Sequence, residues 1–488
     1  MAQCLICGRR SAAIFLGFII VLFGLLNLML HSVGSGGTAL YSLSIPVSLT
    51  RWFDYLRKPQ YPLVVWSSDF HISPVADIKL IMSDFGVTMI DKSLSEHCFL
   101  TNTCEGDLKV ITQHNGIKLE PCPNALRREF YDVYRTDAQF LSVDAILCTH
   151  AASMCELFMP FNKSLLVVAS TRYEIGRHEK ERWEQWNANL RLIASRPGNI
   201  VAANNRYDQE YIRYFTGIND VLLLPSLVGY VTVTYSPTRP AFLLGPSRGV
   251  NQRLQRELRA ALDQHNSKSV GAAKLAIAPI RDLYTQFQYS DLAAHPGVVW
   301  LPYQVSFMSL FEVYRMGVPM FVPAPELLAT WHVKMHVLSE RSWNLVYGVP
   351  STFSEVSRHK DYSGPMSTDP NNEYSEAAVL EWIRLADFYQ WPHIVQFSSF
   401  AHLLELLTTT TARDRDSISR KMLAFSRQQQ RETTRAWRAV MRGVQAQKKS
   451  WPNREKAPPE NINVALEKQF GVSLKRKHCY LQGFGGGR

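Results

Sequence analysis

Two stretches of this chain set residues with charge-binding or proton-transferring side chains at usable spacings. The first is LPYQVSFMSLFEVYRMGVPMFVP, residues 301–323. An apolar run ends at Leu301-Pro302, and a polar loop carrying Gln304 leads into a helix from about Ser309. Glu312 then falls in its first turn, Gly317-Val318-Pro319 ends it, and Met320-Phe321-Val322 starts a strand. A helix N-terminus has free N–H groups and the positive end of a dipole, so it attracts anions. Ser309 adds a hydroxyl, and a carboxylate at Glu312 can accept two vicinal hydroxyls. The same residues also read as a plain cap, with Ser309 at the N-cap and Glu312 completing a capping box. The second stretch is Asp69-Phe70-His71, just past the apolar run 63–66. If that run is a parallel strand, both side chains lie at its carboxyl end, where ligand sites of open α/β sheets form. An imidazole held by a carboxylate is a proton acceptor near neutral pH; a histidine merely hydrogen-bonded in a loop is the plainer alternative. Two further polar clusters, Thr171 to His178 and Ala203 to Asp208, follow apolar runs and so also fall at strand ends. Arg172, Glu174, Asn204 and Tyr207 are their candidate ligand contacts, and a structural hydrogen-bond network would account for them equally well.

The elements that must position these residues alternate. Strand-like runs at 63–66, 87–90, 145–147 and 165–168 are separated by helical stretches. In 179–194, Trp183, Trp186, Leu190 and Ile193 recur at threes and fours. Alternation of this kind predicts a parallel sheet covered by helices on both faces. A Pro/Thr-rich break at 236–240 precedes a second unit of the same build, with strands at 241–244, 274–278, 298–301 and 320–322 and a helix over 253–262. From about 376 the pattern is mostly helical, and 450–488, with Pro452, Pro458, Pro459 and a glycine-rich end, reads as a loose tail.

The chain has 488 residues with 46% hydrophobic content, enough for two folded domains and incompatible with a wholly disordered protein. The formal charge is +11 (53 − 42), but residues 412–449 alone hold eleven Lys/Arg against Asp414, Asp416 and Glu432, a local +8. The remainder is near neutral, so no nucleic-acid partner is expected. Arg427, Arg431, Arg435, Arg438 and Arg442 form a helical stripe that reads as a solvated face. Asp414-Arg415-Asp416 spells an acidic triplet, but it heads a basic helix instead of a strand-end loop, and no metal is expected. Residues 11–30 are apolar and uncharged, and at about 1.5 Å per residue span about 30 Å, one bilayer core. Arg9 and Arg10 precede the run and no Lys or Arg follows until Arg51, which places the N-terminus in the cytosol and the rest in a lumen. Ser32-Val33-Gly34 also reads as a signal-peptidase site. Cys98, Cys104, Cys122, Cys148, Cys155 and Cys479 would face an oxidising lumen; the local pairs Cys98–Cys104 and Cys148–Cys155 are the guesses that spacing offers. Asn162-Lys163-Ser164 is a glycosylation sequon.

The string Ser309-Leu310-Phe311-Glu312 with Gly317-Val318-Pro319 resembles the donor-site motif of GT-B glycosyltransferases: a glutamate, four residues, then Gly-x-Pro before a strand. The resemblance covers roughly residues 61–410 and implies two Rossmann-like domains facing a cleft. It implies donor contacts from Glu312 to the ribose and from Ser309 beside the diphosphate, with Gly317 in the motif. Arg248, in Gly245-Pro246-Ser247-Arg248-Gly249, would face the donor phosphates, and Arg281 is a second candidate. His71, supported by Asp69, would be the catalytic base, and Arg172, Glu174, Asn204 and Tyr207 would contact the acceptor. The chain departs from the family at Gln304, where many retaining members carry a second glutamate and many inverting members a histidine. The expected organisation is a cytosolic tail (1–10), a transmembrane signal anchor (11–30), a stem (31–60), an acceptor domain (61–236), a nucleotide-sugar domain (237–410), a basic helix (411–449) and a tail (450–488). The expected activity is metal-independent transfer of a sugar from a nucleotide sugar to a glycan, glycoprotein or glycolipid hydroxyl, with no cofactor, at the Golgi membrane or alternatively the endoplasmic reticulum. The alternatives are a non-catalytic lumenal glycan- or nucleotide-sugar-binding protein on the same fold, or another nucleotide-sugar enzyme such as an epimerase.

Overall fold

The computed structural model describes residues 60–450 apart from residue 105 and segments 113–122, 247–250 and 269–273. The apolar run 11–30, the stem, the tail beyond 450, Arg248 and Cys4, Cys7, Cys122 and Cys479 lie outside the described residues. Among the described residues no helix is long and apolar enough to cross a membrane.

The alternation read from the sequence builds two parallel sheets. The first has β1 (Val64–Ser67), β2 (Thr88–Asp91), β3 (Ala145–Cys148), β4 (Ser164–Ala169), β5 (Ile200–Ala203) and β6 (Leu222–Leu223), in spatial order β2-β1-β3-β4-β5-β6. Every residue of β3 and β4 is buried, as the unbroken apolar runs of a sheet covered on both faces require. The helix Lys180–Ala194 buries Trp183, Trp186, Leu190 and Ile193. The second sheet has β7 (Phe242–Leu244), β8 (Ile277–Pro279), β9 (Val298–Val299), β10 (Met320–Pro323) and β11 (Val395–Phe397), in order β11-β10-β9-β7-β8. The region beyond 376 is mostly helical as read, and the strand β11 is the one element there that the reading did not place. It is three residues long and only Phe397 is buried, too short and too open to leave a periodic signal. Both local disulfides form, Cys98–Cys104 and Cys148–Cys155.

The basic segment is one helix, Ala412–Ser450. Near its start it closes on Gly317, where a Cβ would lie 2.7 Å from Ser419 Oγ and 2.9 Å from Leu423 Cγ. Gly317 also has φ 74°, the left-handed conformation that ends the helix Met308–Met316. Glycine is therefore needed there for packing and backbone together, and the residue faces the C-terminal helix. Farther along, Trp437, Val440, Met441 and Val444 join the core formed by Val65, Leu147 and Val168 of the first sheet. The helix thus ties both sheets. Lys448 Nζ finishes the tie with a 2.9 Å contact to Asp144 Oδ2, which also accepts the Val64 N–H. The arginines of the stripe from Arg427 to Arg442 are exposed, although Arg438 lays its guanidinium over the Phe85 ring at 5.5 Å.

The linker between the sheets is pinned by one buried carboxylate. Asp77, on the helix Ile72–Asp84, accepts the N–H groups of Leu227 (2.6 Å) and Gly229 (2.9 Å). Between them Val228 sits at φ 44°, a strained conformation for a β-branched residue, held because both neighbours are fixed. Burial raises the Asp77 pKa, opposed by these amides and by Arg315 from the second half of the chain. Asp77→Ala should cost about 2–4 kcal/mol, since it strands two amide donors. Asp77→Asn, which keeps one acceptor oxygen, should cost less; urea unfolding of both variants measures the difference, and equal losses would contradict the pin.

Candidate functional site

Glu312 lies in the second turn of the helix Met308–Met316, whose N-cap is Phe307 without any side-chain cap. Both first-turn expectations are corrected here: Ser309 is not the cap, and no capping box forms. Phe307 takes the cap position because its ring packs between Trp300 and Tyr303, with centroids at 5.0 and 5.8 Å. The first N–H groups of the helix are consequently left without a side-chain acceptor. Gln304, Met308 and Glu312, four apart, are half-buried together with Ser309, while Val305, Leu310 and Phe311 fill the core. Gln304 makes one long contact, Nε2 to the Tyr303 hydroxyl at 3.4 Å.

The Glu312 carboxylate faces the linker. Its Oε1 accepts the hydroxyls of Tyr230 at 2.8 Å and Tyr289 at 3.0 Å. Both tyrosine pKa values are raised by burial and then by this carboxylate. Neither tyrosine was singled out from sequence, because each meets Glu312 only through the folded chain. Tyr230 follows Gly229, so one short linker joins the Asp77 helix to the Glu312 helix.

At the carboxyl end of the first sheet, Asp69 gathers the ends of β1 and β3. Its Oδ1 accepts the His71 N–H (2.8 Å), and its Oδ2 accepts the Thr149 N–H (3.1 Å), the Thr149 hydroxyl (2.5 Å) and the His150 N–H (2.8 Å). Asp69 therefore holds the main chain at His71, a correction to the expectation of support at the imidazole. Burial pushes the Asp69 carboxyl up to about 6 against those four bonds. His71 is exposed, at the N-cap of the helix Ile72–Asp84. Its ring stacks flat on the buried His150 ring, centroids 3.8 Å apart and planes within 2°. His150 Nδ1 shares a 3.0 Å hydrogen bond with the Thr171 hydroxyl, and the Trp343 ring lies 6.5 Å away, tilted by 50°. Trp343 belongs to the chain of the second sheet, and its Nε1 donates to the Arg172 carbonyl at 3.2 Å. His150 was not picked out by sequence reasoning; its place after β3, matching that of Asp69 after β1, was the available signal.

Arg172, Glu174, Asn204 and Tyr207 do follow strands β4 and β5, but all four are buried instead of facing open space. Charge pairing explains it. Arg172 Nε lies 3.5 Å from Asp208 Oδ1, and its guanidinium stands over the Tyr207 ring. Glu174 Oε1 accepts the Tyr211 hydroxyl at 2.8 Å, and Asn371 Nδ2 donates to the same hydroxyl at 2.9 Å across the two halves. Asn204 Nδ2 donates to Ser226 Oγ, and Asn205 caps the helix Arg206–Thr216. Part of that polar cluster is therefore capping. There is a second buried group: Glu373 accepts from His332, Arg341 and Ser342. Arg172 Nη1, the Tyr207 hydroxyl and Arg341 Nε and Nη2 are buried with no partner among the described residues.

Arg281 is exposed, and Asn162 is exposed in the turn before β4. Asp414 is engaged with Thr411, accepting its N–H and hydroxyl. Among the described residues no group of three or more His, Cys, Asp or Glu is disposed to hold a metal.

Glu174 gives a pH signature. Burial pushes its carboxyl up to about 8 from an ordinary 4.5. Between those values the folded chain keeps a proton the unfolded chain has lost, so stability falls as pH rises through that window. Glu174→Gln cannot ionise. Relative to wild type it should gain roughly 2–5 kcal/mol between pH 5 and pH 8.5, measured by urea unfolding; a gap that does not move with pH would rule out the buried carboxyl.

No protein-family model matches the chain, and no curated protein matches it in sequence. Among solved structures, the chain is similar to the glycotransferase of kitacinnamycin, with TM-score 0.40 and 13% identity over 79% of this chain and 100% of that one. It is also similar to the accessory secretory protein 1,2 and 3 structure from Streptococcus pneumoniae (TM-score 0.32, 11% identity, 67% of this chain and 58% of that one). A third is spinosyn rhamnosyltransferase SpnG complexed with thymidine diphosphate (TM-score 0.29, 10% identity, 71% and 100%).

Proposed function

We propose that this chain is a metal-independent glycosyltransferase of GT-B type, moving a sugar from a nucleotide sugar to a hydroxyl of a glycan, glycoprotein or glycolipid. The observation that carries this reading is the placement of Glu312. Its half-buried carboxylate lies one turn beyond an uncapped helix N-terminus and faces the linker between two parallel sheets. A carboxylate there accepts ribose hydroxyls while the free N–H groups and the helix dipole receive the diphosphate. Ser309 and Gln304 are half-buried like Glu312. Arg248 is proposed for the donor phosphates.

His71 is the proposed base. It takes the proton of the acceptor hydroxyl as that oxygen bonds to the anomeric carbon and the nucleoside diphosphate departs. Charge on the leaving diphosphate grows in the transition state, so cationic and N–H donors in fixed positions stabilise it more than the ground state. Asp69 fixes the backbone from which His71 projects. The acceptor side is proposed to use the surface around His71 and Trp343, with Arg172, Glu174, Asn204 and Tyr207 as the buried support beneath it. For the address, residues 11–30 are proposed as a signal anchor that leaves the catalytic region in the Golgi lumen.

The full chain in detergent, supplied with a panel of nucleotide sugars and glycan acceptors, should release nucleoside diphosphate. Glu312→Ala should lower kcat/KM for the donor by about 100-fold, near 2.7 kcal/mol, and, because it strands the Tyr230 and Tyr289 hydroxyls, should also lower the unfolding temperature while the protein stays folded by circular dichroism at the assay temperature. Donor binding without release would favour the binding protein, and an epimerised or free sugar without an acceptor would favour the third reading. Full activity in Glu312→Ala would refute the donor assignment.

A further inference from the structure

The stacked imidazoles of His71 and His150 have a consequence that rests on the transferase reading. We propose that His150 is a positioning residue for the base, presenting the His71 ring and holding it through proton uptake by lying flat beneath it as a neutral partner. The two rings are parallel within 2° with centroids 3.8 Å apart, and His71 is exposed while His150 is 7% exposed, so one ring meets the reactants and the other is its floor. The floor residue is held at backbone and side chain. Its backbone N–H is bound by Asp69 Oδ2, its Nδ1 by the Thr171 hydroxyl, and the Trp343 ring lies 6.5 Å away. The disulfide Cys148–Cys155 brackets the same loop.

The groups that face His150 make it a poor proton acceptor. They are His71 on the helix Ile72–Asp84, Arg172 after β4, the Thr171 hydroxyl, the Trp343 ring and the Asp69 carboxylate, which reaches it only through the backbone. Burial first, then His71 and Arg172, holds the His150 pKa well below the usual value. Two stacked cations at this distance would repel, so only one ring can carry the proton, and it is the exposed one. When His71 becomes imidazolium, the π face beneath it is on its attractive side. A ring locked in one rotamer also spares the orientational cost of a free side chain at the reacting hydroxyl.

A double-mutant cycle on the full chain tests this. His150→Ala should lower kcat about 10- to 50-fold with KM for donor and acceptor within threefold, and should blunt the acidic limb of the pH–rate profile. His150→Phe, which restores a flat neutral ring, should recover activity to within about threefold of wild type. In the His71→Ala background, His150→Ala should cost nothing further, because a residue that acts through His71 has nothing left to act on. Losses that add in the double variant, or a Phe variant as impaired as the Ala variant while folded by circular dichroism, overturn the inference and leave the transferase reading standing. Failure of wild type to release nucleoside diphosphate from any donor overturns both.

Discussion

Two carboxylates on opposite sides of one short linker decide how the halves of this protein meet. Asp77 takes the amides of Leu227 and Gly229, and Glu312 takes the hydroxyl of Tyr230. Between them Val228 is held in a conformation that a free valine avoids. A linker fixed this closely has little freedom to let the sheets drift apart at this point. The C-terminal helix adds a second tie, packed on Gly317 at one end and on the core of the first sheet at the other. Asp77 also sits on the helix that His71 begins. The base candidate and the donor-site candidate are therefore linked through Asp77, the linker and Tyr230.

Buried charge is the second organising feature. Arg172 with Asp208, Glu174 with Tyr211 and Asn371, and Glu373 with His332, Arg341 and Ser342 form polar groups inside or across the halves. Such groups are costly to desolvate and contribute little net stability, but breaking one partner is expensive. Their effect is to make one packing of the halves much better than its neighbours. The ordering extends to Trp343, whose indole N–H is bound to the Arg172 carbonyl and whose ring therefore lies near His150.

Local sequence rules located the candidate donor helix but misassigned its first turn. A serine three residues before a glutamate is a sound capping signal. Here the aromatic packing of Phe307 against Trp300 and Tyr303 moved the start of the helix and left Ser309 inside it. Tertiary packing overrode the cap because burying an aromatic ring outweighs one side-chain hydrogen bond of about 1 kcal/mol. The outcome is a helix terminus whose N–H groups keep no side-chain partner, the more useful arrangement for an anion.

The sequence by itself determined the two parallel sheets, the helix faces that cover them and the strand-end positions of Asp69, His71, Arg172 and Asn204, and it offered the two local disulfides as guesses that the structure bears out. Each of these follows from periodicity or short separation along the chain, which a linear reading can see. Only the tertiary structure decided that Tyr230 and Tyr289 bind Glu312, that His150 underlies His71, that Arg172 and Tyr207 are buried, and that the motif glycine Gly317 serves the C-terminal helix. These contacts join residues tens to more than a hundred positions apart, such as Glu312 with Tyr230 or Gly317 with Ser419. Their partners are selected by crossover connections and shape-matched packing, and no local spacing encodes either.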